Sequence, residues 1–268
     1  MDETTREILE HYNGAVSNEW TRIEGRPEFL LTCRMLERYI KPGDKVLDIG
    51  GGPGRYSLYL AKKGCDVTLF DLSPENVRFA LEQAKTQELS IKAITGDARN
   101  ADELVSGLFD HVLLMGPMYH LLEEADRVKT IKASISLLKS GGSMFVSFIN
   151  LFSGMIYAMK FLPEIIATDA PNEVDYMEKV IAQRSFAGDG FTKVYFIDQD
   201  EILPFMSQFP LKKLHLFGQE GITSPCESNI MSQPTEIVDL WLSFCEKTWE
   251  REDLLSWSEH LMYVGMRL

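Results

Sequence analysis

The sequence predicts an α/β protein: a doubly wound, mostly parallel sheet of seven strands, helices on both faces, and helical cap insertions. Three observations point to it. Short apolar runs alternate with stretches of helical periodicity across the first 150 residues. Those runs are apolar throughout, as strands covered on both faces are, rather than alternating with polar residues. A glycine-rich loop, "GGGPG" at 50–54, lies between the first run and the helix that follows it.

The elements follow in order. Residues 1–40 read as an N-terminal helical segment, a lid or cap, with a break near Gly25–Pro27. In "PEFLLTCRMLERYI", Phe29, Leu30, Cys33, Leu36 and Ile40 fall near helical spacing, and "KPGD" ends the run. "KVLDIG" is a strand, and "RYSLYLAKKG" is a helix closed by Gly64. "CDVTLFD" is a strand ending at Asp71. Ser73 then stands as an N-cap, with Pro74 at the first helical position of "PENVRFALEQAKTQ". "IKAITG", "HVLLMG" and "SMFVSFIN" are further strands, with the helix "EEADRVKTIKASISLLKS" before the last of them. Beyond Asn150 the rhythm changes. Residues 151–190 read as a helical insertion with Val174, Met177, Val180, Ile181 and Arg184 at helical spacing, closed by "GDG". "FTKVYFI" and "LKKLHLFG" are strands around the helix "DQDEILPFMSQ". A second cap insertion is expected near 222–258, its helix striped by Ile237, Leu240, Trp241, Phe244 and Cys245, before the closing strand "LMYVGMRL". Residues 41–268 thus form one domain carrying two insertions.

Composition narrows the function. The 268 residues are 45% hydrophobic, which excludes disorder. Lys and Arg total 27 against 40 Asp and Glu, a net charge of −13 with no basic run, so a nucleic-acid partner is not expected. The uncharged stretch Ser140–Met159 is long enough to span a bilayer. Its three glycines, four serines and Asn150 favour a strand, a loop and a helix, and no membrane partner is expected. Four scattered cysteines and five scattered histidines show neither zinc-ligand spacing nor a disulfide frame, so no metal is expected and a reducing cytoplasm fits.

Ligands of open parallel sheets bind beyond the carboxyl ends of the strands, where the glycine loop lies. The dinucleotide pattern G-x-G-x-x-G fits Gly50 and Gly52 but meets Arg55 at its third position, and no G-K-[ST] is present. The pattern is D-x-G-x-G-x-G, from Asp48 through Gly50 and Gly52 to Gly54, with Gly51 inside it. Asp71 closes the next strand about 20 residues later, the spacing of an acid on a ribose diol. Asp97, in "TGDARN", stands on the same edge, where a carboxylate can accept from an exocyclic amine. Alone, each mark has a plainer reading: strand–helix packing, a capped helix, a turn aspartate. Their order suits a nucleoside without a phosphate.

Here the sequence resembles the class I S-adenosylmethionine-dependent methyltransferases. "VLDIGGGPGRYSLYLAKKG", "VTLFDLSPENVRFA", "ITGDARN" and "FDHVLLMGPMYHLL" look like four of their motifs over residues 44–149. The resemblance implies a Rossmann-like sheet, S-adenosyl-L-methionine as cofactor, and methyl transfer to a small-molecule acceptor. It implies that the loop Gly50–Gly54 lies under the methionine and ribose, that Asp71 and Leu72 meet the ribose, and that Asp97 and the Ala98 amide meet adenine. Met115 would line the path to the acceptor, and Tyr12 would close over the cofactor. Tyr119 and His120, beyond the fourth strand on the ligand side, are the candidate catalytic pair, if they do not merely pack there. Methyl transfer needs a base only where the acceptor must lose a proton. A methyltransferase of RNA or protein and a nicotinamide-dependent oxidoreductase are the alternatives.

Overall fold

The computed structural model describes residues 1–268. In chain order the elements are α1 (Glu3–Arg22), α2 (Pro27–Tyr39), β1 (Lys45–Ile49), α3 (Arg55–Lys62), β2 (Asp66–Asp71), α4 (Pro74–Thr86) and β3 (Lys92–Thr95). They continue with α5 (Ala101–Leu104), β4 (Phe109–Leu114), α6 (Glu124–Ser136), β5 (Leu138–Asn150), α7 (Ser153–Phe161) and α8 (Pro171–Ala182). The rest are β6 (Phe186–Asp189), β7 (Lys193–Ile197), α9 (Gln199–Met206), β8 (Leu211–Gly218), α10 (Glu227–Met231), α11 (Thr235–Thr248) and β9 (His260–Arg267).

Strands β3, β2, β1, β4 and β5 lie side by side and parallel, and β9 then β8 add antiparallel beyond β5. Alternate residues explain the two-sided burial. Leu47 and Ile49 of β1, Val112 and Leu114 of β4, and Met144, Val146 and Phe148 of β5 pack into one core with Ile131, Ile135 and Ile202. Val46, Leu113 and Phe145 face the other way, into a core with Leu31, Leu36, Leu60 and Leu242. A continuous apolar strand is what such a layer requires.

The sheet has nine strands, not seven. The strand not named from sequence is β6, which pairs antiparallel with the expected β7 through Phe186↔Phe196 to Asp189↔Lys193 to form a hairpin. Its first strand, "FAGD", falls inside the stretch 151–190 expected to be purely helical. Four residues with one glycine and one aspartate carry no periodicity of their own, and β6 exists because β7 offers it an edge. The hairpin joins the sheet only at the tip of β5, through Ile149↔Phe196 and Asn150↔Ile197. There β4 has already ended, its last partner being Val146.

The second expected insertion is also corrected. Helix α11 buries Val238, Leu242 and Cys245, with Trp249 just beyond it, against α2 on the sheet face. The stripe of Ile237, Leu240, Trp241 and Phe244 points to solvent. Both stripes sit at helical spacing, so sequence alone cannot choose between them. Of residues 222–258, only Glu227 reaches the cavity described below.

The two faces of α11 should separate in mutation. Leu242→Ala, at a 2% exposed position, should cost about 2–5 kcal/mol in urea unfolding. Leu240→Ala should stay within roughly 0.5 kcal/mol of the parent. Equal costs would show that the face of α11 has been assigned wrongly.

Candidate active site

A cavity of about 960 Å³ opens along the carboxyl ends of β1, β2, β4 and β5, at the upper end of the range for small-molecule sites. Its floor is the glycine loop, and the four glycines there serve different needs. A Cβ on Gly50 would meet the Pro117 ring at 2.4 Å, one on Gly51 the Asp48 carboxylate at 2.9 Å, and one on Gly54 the Ala80 Cβ at 3.0 Å. These three are small because the protein crowds them. Gly54 stands off the cavity altogether, as the left-handed cap of α3. Gly52 alone, at φ +54°, has open space where a side chain would grow. The backbone is therefore bare toward a ligand at one residue.

Two carboxylates anchor the loop. Asp71 Oδ2 accepts from the Gly52 amide at 2.8 Å, while Oδ1 accepts from the Ser73 amide at 2.9 Å and Asn76 Nδ2 at 3.1 Å. Burial raises the Asp71 carboxyl above its usual range, and these three donors pull the other way. Asp48 is fully buried and is pushed up to about 6 by that burial, against the Ser57 hydroxyl, which donates to Oδ2 at 2.6 Å. Asp48 Oδ1 lines the site without a hydrogen-bond partner. An orphaned buried acceptor is costly unless a ligand donor meets it. Asp97 is engaged within the protein: both oxygens accept from Arg99, the closest contact being 2.6 Å.

Helix α1 roofs this half of the cavity, lined there by Ile8, Tyr12 and Arg22 among others. Few of its residues are buried, so polar ties hold it. Arg99 reaches Thr5 at 2.9 Å, Ser73 donates to Asn13 at 2.6 Å, and Arg55 Nε donates to the Trp20 carbonyl at 2.5 Å while its guanidinium stacks 3.6 Å over the indole. Arg55, the residue that broke the dinucleotide pattern, is thus the clamp on α1.

Tyr119 and His120 do lie on the ligand side, in the short turn Pro117–Tyr119 after β4. His120 Nδ1 stands 3.0 Å from the Lys193 carbonyl, which can only accept, so that nitrogen carries the hydrogen. Nε2 then accepts from the Tyr12 hydroxyl at 2.6 Å. Burial lowers the imidazole to about 4. Neither ring nitrogen is open to an acceptor in this arrangement, and His120 latches α1 to the hairpin. The Tyr119 ring stands between His120 at 4.9 Å and His260 at 6.2 Å.

Sequence reading missed the polar cluster on the far wall. Glu220 Oε1 lies 2.6 Å from His260 Nδ1, and Glu28 accepts from Arg22 at 3.0 Å. These residues come from α2, the end of β8 and the start of β9, and no local motif links them. Tyr157, Tyr176 and Phe196 of the cap line the same half. Phe152 and Met155 of the same segment, and Trp241 of α11, do not reach it. No helix is long and apolar enough to cross a membrane.

Residues 46–142 match a family model described as a methyltransferase domain. Among curated proteins, the ubiquinone biosynthesis O-methyltransferase of Xanthomonas campestris pv. campestris (strain B100) is 32% identical over 142 residues. That match covers 51% of this chain and 58% of that enzyme, so the chain spans little more than half the length of the curated relatives it matches. Two solved structures superpose over nearly the whole chain. The magnesium protoporphyrin IX methyltransferase of Synechocystis PCC 6803, with bound SAH, gives a TM-score of 0.58 at 14% identity, covering 99% of this chain and 100% of that one. The 1,6-didemethyltoxoflavin-N1-methyltransferase of Burkholderia thailandensis gives 0.60 at 12%, covering 98% and 88%. At such identities the likeness is one of fold.

The latch has a signature in pH. His120 is held at about 4, below the 6.5 of a free imidazole, so between those values the unfolded chain binds more protons and stability falls as pH drops. Asp48, raised to about 6, acts in the opposite sense over part of that window. The contribution should therefore be read as a difference: from pH 7 to pH 4 the parent should lose urea stability relative to His120→Gln. A constant difference across that range would mean His120 titrates normally.

Proposed function

We propose that the chain, whose residues 46–142 match a methyltransferase-domain model and whose fold is that of solved methyltransferases, transfers a methyl group from S-adenosylmethionine to a small molecule. The observation that carries the reading is the two-part cavity, with a bare-backbone half under α1 and an aromatic, polar half under the β6–β7 hairpin. One half suits a nucleoside-bearing donor and the other an enclosed acceptor.

The residues present fit the donor. Gly52 offers open backbone, Asp48 Oδ1 an unfilled acceptor for an ammonium group, and Asp71, with Leu72 beside it, a carboxylate for a diol. Gly50 and Gly51 shape the floor. Asp97 is turned to Arg99, so we assign adenine recognition first to the backbone at Ala98, with Asp97 fixing that turn through the Arg99 amide. Met115 and Tyr119 stand between the halves. When bound, the sulfonium supplies an activated methyl group. The protein's own task is to hold the acceptor in line with it, where proximity can supply several kcal/mol. Tyr12 and His120 close the roof, and Tyr176 and Phe196 wall the half under the hairpin.

A small molecule is favoured over RNA because the wall opposite the loop is enclosed and carries Glu28, Glu220 and Glu227, on a chain of net charge −13. A nicotinamide dinucleotide is disfavoured because Arg55 stands at the third glycine position and is spent on Trp20. Three of the four free cysteines are buried, in keeping with the reducing cytoplasm we propose as its location.

Calorimetry should show S-adenosylmethionine binding, and Asp71→Asn should weaken it by about 10- to 150-fold, the range for a bond to a charged group. Unchanged affinity in a folded variant would remove Asp71 from the site. Methyl-labelled donor with cell extract should label low-mass material, and label in RNA would overturn the acceptor class. If residues 1–25 and 151–190 form a lid, hydrogen exchange in both should slow on donor binding. No added protection in either would discard the lid.

A further inference from the structure

The second half of the cavity contains a built device that donor binding does not use. Strand β9 runs antiparallel to β5 and begins with His260 opposite Ile149, so its first residue lands on the ligand edge. Glu220 follows β8 on the same edge and is 4% exposed. Its Oε1 takes His260 Nδ1 at 2.6 Å, and its Oε2 accepts from the His260 amide at 3.0 Å and the Ser258 hydroxyl at 2.5 Å. The contact to Oε1 fixes the tautomer of the imidazole, and the two to Oε2 hold the carboxylate in place. Its other nitrogen, Nε2, makes no hydrogen bond within the protein, and the ring lines the cavity. Glu28 offers an oxygen within 4.8 Å of this pair. The buried hydroxyl of Tyr56, on the same wall, has no partner either. A wall with an open ring nitrogen and an unpaired hydroxyl is shaped for a polar atom that the protein does not supply.

We propose that His260, oriented by Glu220, is the catalytic residue that takes the proton of the acceptor, and that the acceptor's nucleophile is the oxygen of a weakly acidic hydroxyl, a phenol or enol. The inference rests on the methyltransferase reading and sharpens it. The step balances without another reagent. The acceptor's O–H bond breaks and its proton goes to Nε2. The freed oxygen pair forms the bond to the methyl carbon, while the carbon–sulfur pair returns to sulfur and leaves a neutral thioether. The imidazolium keeps the proton until the product leaves, then releases it to water.

Charge in the wall selects the hydroxyl. Burial alone would lower the imidazole, but Glu28 and Glu220 outweigh it and Arg22 offsets only part, so His260 is raised to about 9. That approaches the pKa near 10 of a phenol, and a proton shared between matched groups moves at little cost. An alcohol is too weak an acid for such a base. Phenolate on imidazolium and phenol on imidazole hold the same protons in two positions, so below about pH 9, where the ring is protonated, the same complex forms when the acceptor enters as its phenolate. A divalent cation is a poorer fit to the three side chains, because both Glu220 oxygens and one Glu28 oxygen already have donors.

The test uses 4-nitrophenol, whose ionised form is yellow, titrated into the protein without donor at pH 6. The parent should bind it as the phenolate. His260→Gln should bind at least tenfold more weakly and only the colourless form, while Glu220→Gln should weaken the phenolate signal. All three proteins should keep the same S-adenosylmethionine affinity by calorimetry, which guards against misfolding. In turnover of the labelled low-mass acceptor, His260→Gln should lower kcat by about 100- to 10,000-fold with KM changed far less, and the label should lie on oxygen. The proposal fails if the parent binds the probe only in neutral form or not at all. It fails also if His260→Gln keeps the phenolate, if the signal requires added magnesium, or if label lies on nitrogen or carbon. Failure of the methyltransferase reading shows separately, as absence of donor binding in the parent.

Discussion

Strand β5 is longer than its neighbour β4, and most of the site depends on that mismatch. Backbone donors and acceptors at the tip of β5 must be paired once the tip is buried. On one side the antiparallel β9 serves them; on the other β4 has ended and β7 takes over at Ile149 and Asn150. From this one requirement come the hairpin that roofs the acceptor half, the Lys193 carbonyl that fixes His120, and the arrival of His260 at the ligand edge. The glycine loop needs none of it. The half of the cavity over the glycine loop could be built with the minimal sheet alone, whereas the half under the hairpin is a product of the fork.

Asymmetry of this kind explains what the sequence could tell. Strands β1, β2, β4 and β5 were legible because burial on both faces writes a continuous apolar run, and the glycine loop and Asp71 were legible because their constraint is local. The β6 strand was not, since "FAGD" is a strand only in the presence of its partner. On α11, two apolar stripes compete, and the buried one is decided by α2, which lies some two hundred residues away in sequence. The candidate pair Tyr119–His120 was placed correctly on the ligand side, but its partners Tyr12 and Lys193 could not be read from spacing. The cluster of Glu28, Glu220 and His260 left no trace at all, because its members are brought together by tertiary folding alone. In the loop itself, four glycines looked alike and proved to have separate causes, three steric and one open to the ligand.

The cavity also shows how charge is managed at low dielectric. Asp48 and Asp71, both buried near one another, lean toward protonation, and the protein answers with amide and hydroxyl donors rather than cations. Glu28 and Glu220 sit beside Arg22 and His260 instead. Isolated buried charges are expensive, and paired ones hold their neighbours in place. The donor side is thus poised to accept a positive ligand without a resident counter-ion, and the acceptor side to hold a proton.

Helix α1 precedes the sheet in sequence, yet its ties lie beyond β2, β3 and β4. Its ties reach to Ser73, Arg99 and His120, separations of 60 to 108 residues, while only Thr5 and Ile8 are fully buried. Closing such long loops costs entropy before any contact returns it. On a growing chain, the helix must wait until strand β4 and the turn beyond it have emerged. The cavity can therefore be roofed only once three strand–helix units beyond α1 are in place, by a helix that holds few apolar contacts of its own.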